Sequence, residues 1–289
     1  MKPPKFDYFA PDSIDGALSL IAAHGEDARF LAGGQSLVPM LNFRVAAPSA
    51  LIDLNRIAAL RDIRIDGSGD LHLGAMVRTR QIETDPVIRA ANPLLQAAPP
   101  HIAHVQIRNR GTIGGSLAHA DPAAELPGIV LVCGADIHLQ GPDGRRVVSA
   151  DDFFDSIFST AIAEGEIIAE IVFPAWPKTR HWAFREVSRR EGDFAMVGIA
   201  AWFDTGADGA ISVARIAAIG AGDTPLRLPA AEAVLTGGTP GPALFAAAAQ
   251  AGIADLQPGD DIHASAEYRR EVGGVLIGRV LAAAWERTP

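Results

Sequence analysis

Two short segments with adjacent glycines constrain this chain more than any other feature. The first glycine loop spans residues 32–36 (AGGQS), and the second spans residues 112–116 (TIGGS) and leads into a run that ends at Pro127. Adjacent glycines let a backbone approach an oxygen atom with no Cβ in between, and their N–H groups can point the same way. A helix that begins just after such a loop adds partial positive charge. The two loops together predict a site that closes around one diphosphate.

The glycines are also compatible with simpler roles. Either loop alone is more typical of a tight turn in which glycine adopts a positive φ than of a phosphate site. The chain has no G-x-x-x-x-G-K-[ST] sequence and no G-x-G-x-x-G that opens a βαβ unit, which excludes a P-loop and gives no support to a Rossmann site. Gly220 and Gly222 are followed by Pro225 and indicate a turn. Two similar loops, each between an extended segment and a predicted helix, favour a phosphate site of another kind.

Composition and charge narrow the class of protein. The 289 residues have a formal net charge of -9, with 48% hydrophobic and 20% charged residues, which is typical of a globular chain with room for two domains. The negative charge argues against a general nucleic-acid surface. Residues 1–8 lack the apolar run of a secretory signal, and the longest apolar stretches, 128–137 and 195–203, are shorter than the ~20 residues that span a bilayer. We therefore expect a cytoplasmic protein with no integral membrane segment and no nucleic-acid partner.

The only cysteine, Cys133, limits the metal chemistry of the chain. One thiol cannot form an internal disulfide, and it cannot supply the thiolates of an iron–sulfur cluster or of a structural zinc site. Any iron–sulfur chemistry must therefore be on another chain. Because Cys133 falls in an apolar helical segment, we expect an inert buried thiol.

Hydrophobic periodicity and turn residues predict alternating helices and strands, with a change of composition at residues 174–178. We predict a first domain of residues 1–176, with lobes of about 1–55 and 56–176, and a C-terminal domain of residues 177–289. Helices are predicted at 13–24, 35–42, 79–98 (broken at Pro86 and Pro93), 123–133, 228–235, 240–251 and 264–285. Strands are predicted at 29–32, 50–54, 64–66, 70–73, 135–140, 145–148 and 166–173, then at 181–190, 195–204 and 211–220. The last three strands predict an antiparallel sheet with helices behind it.

Several segments together resemble one family. They are residues 32–37 (AGGQSL), 107–116 (IRNRGTIGGS), 120–127 (ADPAAELP), 185–194 (REVSRREGDF) and 220–227 (GAGDTPLR), and they occur in order over essentially the whole chain. In this pattern the chain resembles the FAD-binding medium subunit of molybdenum hydroxylases of the carbon monoxide dehydrogenase and xanthine dehydrogenase type. The resemblance implies an α+β fold, with a two-lobed FAD-binding domain of the vanillyl-alcohol-oxidase (PCMH) type and a smaller α+β C-terminal domain.

The resemblance also implies a set of cofactor-binding positions. The two glycine loops match segments that bind the FAD diphosphate from two sides, Glu125 matches an acidic residue that accepts hydrogen bonds from FAD hydroxyls, and Ile168 matches a residue that packs on the cofactor. Arg185, next to Glu186, matches a basic residue near the flavin ring. The implied contacts are Ala32, Gly33, Gly34, Gln35, Ser36, Ala103, Thr112, Ile113, Gly114, Gly115, Ser116, Glu125, Ile168 and Arg185.

The function that the resemblance implies is electron transfer within a complex. FAD, bound without a covalent link, would accept electrons from the [2Fe–2S] clusters of a small partner subunit and pass them to NAD or a quinone. A large partner subunit would hold the molybdenum cofactor, and the whole would be a dimer of heterotrimers. The sequence shows no catalytic acid–base pair and no metal site, which is consistent with an electron carrier.

Some residues and functions stay open at the level of sequence. His101 and His104 have a spacing that would suit a metal but no third ligand, so a packing role is favoured. For His119 and Asp121, the sequence is equally compatible with a ligand contact and with a structural turn. For Arg108 and Arg110, it is equally compatible with a contact to phosphate or to a partner's charges and with simple exposure to solvent. Ser36 and Ser116 lack a nearby His and acid at recognisable spacing. The rival functions are a stand-alone flavin oxidase or reductase and a scaffold protein whose glycine loops are only turns.

Overall fold

The N-terminal part of the chain forms a three-stranded parallel sheet with two helices. In the computed structural model, which describes residues 2–287, β3 lies between its neighbours in the order β1-β3-β2. The first helix begins where the Ser13 hydroxyl accepts the Gly16 N–H, and it ends at Gly25, whose φ of 65° favours glycine. The bounds are β1 (Asp7–Phe9), β2 (Ala28–Leu31), β3 (Ala50–Asp53), α1 (Ile14–His24) and α2 (Leu37–Asn42).

A five-stranded antiparallel sheet and six helices follow, with a small hairpin formed by β8 and β9. The sheet order is β4-β5-β10-β6-β7. The predicted breaks at Pro86 and Pro93 are confirmed, because each proline begins a new helix after a capping side chain, Asp85 or Asn92. The strands are β4 (Ile63–Ile65), β5 (Leu71–Gly74), β6 (Asp136–Gly141), β7 (Gly144–Ser149), β8 (Phe154–Ser156), β9 (Ser159–Thr160) and β10 (Ile167–Phe173); the helices are α3 (Thr79–Thr84), α4 (Pro86–Ala91), α5 (Pro93–Ala97), α6 (Val105–Arg108), α7 (Ile113–His119) and α8 (Glu125–Cys133).

The C-terminal part is an antiparallel sheet with three helices on one face. The three predicted long strands are present, but the sheet has four strands, because residues 226–227 pair with Ala217 and Ala218. A strand of two residues has no periodicity that a sequence pattern could reveal, which is why the prediction omitted it. The bounds are β11 (His181–Ser188), β12 (Ala195–Thr205), β13 (Ile211–Ile219), β14 (Leu226–Arg227), α9 (Pro229–Leu235), α10 (Pro242–Gly252) and α11 (Ala266–Glu286).

Helix α8 joins the two parts of the molecule and is buried along its whole length. The other face of the C-terminal sheet packs on this helix: Trp202 Nε1 donates to the Val132 carbonyl at 2.7 Å, and Gly128 lies against Ile219. Because alternate residues of a strand point to opposite faces, Ala200 and Trp202 face α8, while their neighbours on β12 face α10 and α11. The apolar character of α8 on all sides follows from this position between two layers.

Short 3₁₀ turns complete the described elements, at Gly25–Asp27, Leu54–Arg56, Ala58–Arg61, Pro99–His101, Ala150–Asp152 and Ile253–Asp255. No helix within residues 2–287 has both the length and the apolar character required to cross a bilayer.

Candidate functional site

The two glycine loops are in direct contact. A Cβ atom added to Gly33 would lie 2.4 Å from the Arg110 carbonyl oxygen and 2.9 Å from the Gly111 Cα, and one added to Gly115 would lie 3.3 Å from the Ala32 Cβ. Distances below 3.0 Å from backbone atoms leave no room for a side chain at residue 33. The structure thus brings the two loops together, and Gly33 is required there because two backbones meet.

The first glycine loop presents unused backbone donors. Within the described part of the chain, no protein group accepts a hydrogen bond from the backbone N–H of Gly33, Gly34, Gln35 or Ser36. The loop is closed by Gln35, whose Nε2 donates to the Gly33 carbonyl at 2.9 Å, and Gly34 has a φ of 73°. A cleft of about 340 Å³ opens beside it, lined by the loop, by α2 and by Arg110. Four free amides and a nearby guanidinium suit an anion such as a phosphate.

The second glycine loop differs from the expectation, because most of its amides are already bonded. The Gly114 N–H donates to Ala75 O at 2.8 Å, the Gly115 N–H to Thr112 Oγ1 at 3.1 Å, and the amides of Ile113 and Ser116 to Val77 O and Thr112 O. Gly114 is needed for packing, since an added Cβ would lie 2.5 Å from the Ala75 Cβ. The second glycine loop therefore packs against the first loop and supports it. Among its described backbone amides, only that of Thr112 lacks a protein acceptor.

A polar network that the sequence did not reveal joins the two loops. The guanidinium of Arg78 donates to Arg110 O in the segment before the second loop and to Asn55 Oδ1. Asn55 Nδ2 in turn donates to the Ala32 carbonyl at 2.9 Å, and Asp53 Oδ1 accepts the Asn55 N–H at 2.8 Å. Burial lowers the pKa of Arg78 from its usual value. The only sequence signal for this network was Asp53, near the end of the predicted strand 50–54. Acidic residues at such positions are common in loops of every kind.

Substitution of Arg78 tests this network. We expect Arg78→Ala to lower the free energy of unfolding by about 2 kcal/mol and to weaken cofactor binding, because Asn55 Oδ1 and Arg110 O would lose their donor. Arg80→Ala is the matched control, since its ion pair with Glu83 at 2.8 Å is 43% exposed on the arginine side and should contribute under about 1 kcal/mol. Urea denaturation measures both variants, and equal losses would show that Arg78 is an ordinary surface residue.

Glu125, the first residue of α8, is a buried carboxyl group with only 7% of its surface exposed. Burial raises its pKa to about 8, and the negative charges of Glu186 and Asp121 act in the same direction. At neutral pH this group is therefore mainly protonated in the chain without ligand. Asp121 has a local role, since its Oδ1 accepts the Ala123 N–H at 2.9 Å and stabilises the turn before α8.

The segment around Ala103 lies under a loop of the C-terminal sheet. Ala103 has a φ of 41°, and a Cβ added to Gly192 would lie 3.0 Å from its carbonyl oxygen. Arg108 stabilises this segment by donating to the carbonyls of Ile102 and Ala103 at 3.0 and 2.9 Å, and it pairs with Glu83 at 2.8 Å. Arg108 is thus engaged within the chain, whereas Arg110 lines the cleft.

Ile168 and Arg185, two further predicted positions, lie in different surroundings. Ile168 is buried on β10, next to Ala169, whose carbonyl accepts the Ala75 N–H behind the second glycine loop. Arg185 is exposed, and its cross-strand partner Ile199 packs with α10 and α11. Arg185 therefore belongs to the face of β11 that is turned away from α8, and its contact with the cofactor stays a prediction. Its neighbour Glu186 faces α8 instead.

The remaining candidates have local contacts. The His119 ring packs on Phe158 with ring centroids 5.0 Å apart. Cys133 is buried, Asn92 Nδ2 lies 3.5 Å from its Sγ, and burial raises the pKa of the thiol to about 12. In residues 2–287, no group of three or more His, Cys, Asp and Glu side chains has the geometry of a metal site.

Comparison with known families identifies the two parts of the molecule. A model of the FAD-binding domain in molybdopterin dehydrogenase matches residues 4–176, and a model of the CO dehydrogenase flavoprotein C-terminal domain matches residues 182–284. The predicted fold class, a PCMH-type FAD-binding domain followed by an α+β C-terminal domain, is confirmed. The fold and the site thus define an FAD-binding oxidoreductase subunit.

Individual proteins are similar over the full length. The 6-hydroxypseudooxynicotine dehydrogenase complex subunit alpha of Paenarthrobacter nicotinovorans is 44% identical over 99% of this chain and 97% of that protein. The carbon monoxide dehydrogenase medium chain of Hydrogenophaga pseudoflava is 39% identical over 99% of this chain and 99% of that protein. A solved structure of carbon monoxide dehydrogenase from the same organism superimposes with a TM-score of 0.97 at 41% identity and covers 100% of both chains. The chain belongs to the family of FAD-binding medium subunits of molybdenum hydroxylases.

The residues present fit FAD. The free amides of the first glycine loop and Arg110 supply donors and positive charge for a diphosphate, and Gly33 permits the close approach of the loops. On β11, Glu186 Oε2 is buried and has no hydrogen-bond partner among the described residues. This oxygen can therefore accept a hydrogen bond from a hydroxyl or ring N–H of a ligand.

Proposed function

We propose that this chain accepts electrons on FAD from the [2Fe–2S] clusters of a small partner subunit and passes them to an external acceptor such as NAD or a quinone. A large partner subunit with the molybdenum cofactor would hydroxylate the substrate. The relatives support this proposal, because they are named as a subunit of a dehydrogenase complex and as a medium chain. The single cysteine supports it as well, since this chain cannot supply the thiolates of an iron–sulfur cluster.

The observation with the most weight is the contact between the two glycine loops, of which the first has four backbone N–H groups without a protein acceptor. In the proposed site the amides of residues 33–36 and Thr112 bind the diphosphate, while Arg78 and Asn55 hold the loops at the required separation. In the proposed site Ala103, Ile168 and Glu125 would contact parts of FAD beyond the diphosphate. Bound FAD supplies the redox chemistry, and the chain supplies position, charge and exclusion of water. The cofactor would be held without a covalent link, and the one thiol of the chain, Cys133, is buried in α8.

Exposed apolar side chains near the first glycine loop support a partner subunit. Phe43 and Val45, which follow α2, are 71% and 73% exposed, and Val38 on the rim of the cleft is 41% exposed. Neighbouring apolar residues on a surface commonly mark a protein interface. We propose a dimer of heterotrimers as the assembly. The domain division at residues 176–177 stays a prediction, and so does the cytoplasmic location.

Co-expression with the genes next to its own tests the proposed function. We expect a tagged version of this chain to copurify with a cysteine-rich small subunit and a large subunit containing molybdenum, and reduction of the clusters to bleach the oxidised flavin absorption near ~450 nm. Sedimentation of the complex would test the assembly. Purification of a lone chain that oxidises a small substrate by itself would contradict the proposal and favour a stand-alone flavin oxidase.

A further inference from the structure

The unpartnered oxygen of Glu186 is the least expected feature of the site. The side chain is only 4% exposed, its Oε2 accepts no hydrogen bond from any described residue, and its Oε1 lies 3.6 Å from His101 Nδ1, beyond normal hydrogen-bond range. A buried carboxylate without donors is costly, and native proteins nearly always satisfy such atoms with protein, water or ligand. The free oxygen of Glu186 is therefore available to a hydrogen-bond donor from outside the chain.

The position of Glu186 in the sheet shows where that donor must come from. Glu186, Gly198 and Ile219 are directly opposite each other on β11, β12 and β13, so they share one face. Phe184 and Trp202, on the same face, pack in the core that contains α8. Glu186 therefore points toward the FAD-binding part of the molecule, whereas Arg185 belongs to the opposite face.

Gly198 makes room for the carboxyl group. A Cβ added there would lie 2.8 Å from Ile219 Cγ1 and 3.2 Å from the Glu186 Cβ, so this row has space for only one long polar side chain. Ile219 also contacts α8, since a Cβ added to Gly128 would lie 2.4 Å from its Cγ2. Glu125 lies three residues before Gly128, and therefore on the same face of α8. The two carboxyl groups thus approach each other across this row.

Negative charges lie around the buried carboxyl group of Glu125. Burial raises the pKa of Glu125 most, and the negative charges of Glu186 and Asp121 raise it further. The group facing Glu186 from the 3₁₀ turn Pro99–His101 is His101, which is half-exposed and packs edge-on against Phe184 with ring centroids 5.2 Å apart. Arg269 binds the Met196 and Gly220 carbonyls from α11 on the other side of the sheet.

We propose that Glu186 is a cofactor-binding residue whose free carboxylate oxygen accepts a hydrogen bond from a hydroxyl or ring N–H of FAD. The buried carboxyl group of Glu125 carries a proton at neutral pH. The inference rests on FAD binding but not on the proposed partners or electron acceptor. Loss of the proton above pH 8 would place two negative charges at the site. Binding of FAD at high pH would then require uptake of one proton.

Titration of FAD into the full chain, freed of flavin, tests the contact. We expect Glu186→Leu to raise the Kd for FAD about tenfold at pH 7, because the charged acceptor is lost. Glu186→Gln keeps an acceptor oxygen and should stay within about threefold of the wild type. Glu164→Gln, the same change at an exposed site, is the matched control. An unchanged Kd in Glu186→Leu would overturn the contact.

The pH profile of binding distinguishes the pair from a structural role. Calorimetry from about pH 6 to about pH 9 should show weaker FAD binding by the wild type above pH 8, with proton uptake. The dependence on pH should be smaller in Glu186→Gln, because burial still raises the pKa of Glu125, and absent in Glu125→Gln. If Glu186→Leu fails to fold, these two glutamine variants decide the question. Profiles parallel to that of the wild type would show that these two carboxyl groups do not cause the pH dependence, even if FAD still binds and the partner subunits still copurify.

Discussion

The Gly33→Ala variant is expected to lose most of its FAD. The new Cβ would lie 2.4 Å from the Arg110 carbonyl oxygen and 2.9 Å from the Gly111 Cα, both of which are backbone atoms that cannot rotate away. The two glycine loops would have to separate, which would move the free amides of the first loop away from any diphosphate held between them. We expect at least a tenfold higher Kd, equivalent to about 1.4 kcal/mol, together with about 1–3 kcal/mol less stability.

Absorption of the purified chain measures the flavin content, and titration with FAD measures the Kd. Gly67→Ala is the matched control, because Gly67 is exposed in the turn between β4 and β5 and an added Cβ would meet nothing within 4 Å. It should bind FAD as the wild type does. Full flavin content in Gly33→Ala would show that the contact between the loops is not needed for binding, and would remove the main support for the proposed diphosphate site.

The second large effect is a fall in the free energy of unfolding of the flavin-free chain as the pH rises. In the flavin-free chain, the folded-state pKa of Glu125 is about 8, compared with 4.5 for the unfolded state. Between these values the folded chain holds a proton that the unfolded chain releases, so the stability that this proton provides is complete below pH 4.5 and is lost as the pH rises through 8. From pH 5 to pH 9 the loss should be about 4 kcal/mol.

Glu125→Gln isolates this contribution, because glutamine resembles the protonated acid and does not titrate. Urea unfolding of wild type and variant at pH 5, 7 and 9 should give similar free energies at pH 5 and a growing advantage for the variant at higher pH. Glu164→Gln changes an exposed carboxyl and should follow the wild type throughout. A constant difference between wild type and Glu125→Gln would mean that the buried carboxyl does not change its charge in this range.

Much of the fold was predictable because local signals and the final structure agree. The Ser13 cap, the glycine at 25 and the prolines at 86 and 93 set helix ends through backbone geometry that each residue determines by itself. Strand β14 was missed, since its two residues form a strand only because β13 is beside them. The family and the cofactor were predictable for a different reason, namely that the glycine loops and the segment before Pro127 occur together and in order.

The surroundings of the predicted site residues were only partly predictable, as the neighbours Arg185 and Glu186 show. Sequence reasoning favoured Arg185, a cation near a cofactor, but the sheet decides which of two neighbouring residues faces α8, and a shift of one residue exchanges the faces. Arg78 and Asn55 were missed for a similar reason, because their partners Arg110 and Ala32 are distant in the chain.

The sequence by itself determined the two glycine loops, the limit that one cysteine places on metal chemistry, and the order of motifs that identifies the family, since these are properties of residue types and their spacing. Only the tertiary structure decided which loop keeps free amides. The amides of Gly114 and Gly115 are used by Ala75 and Thr112, whereas those of Gly33 and Gly34 are not. The physical reason is that a backbone donor can bind a ligand only where folding has left it without a protein acceptor.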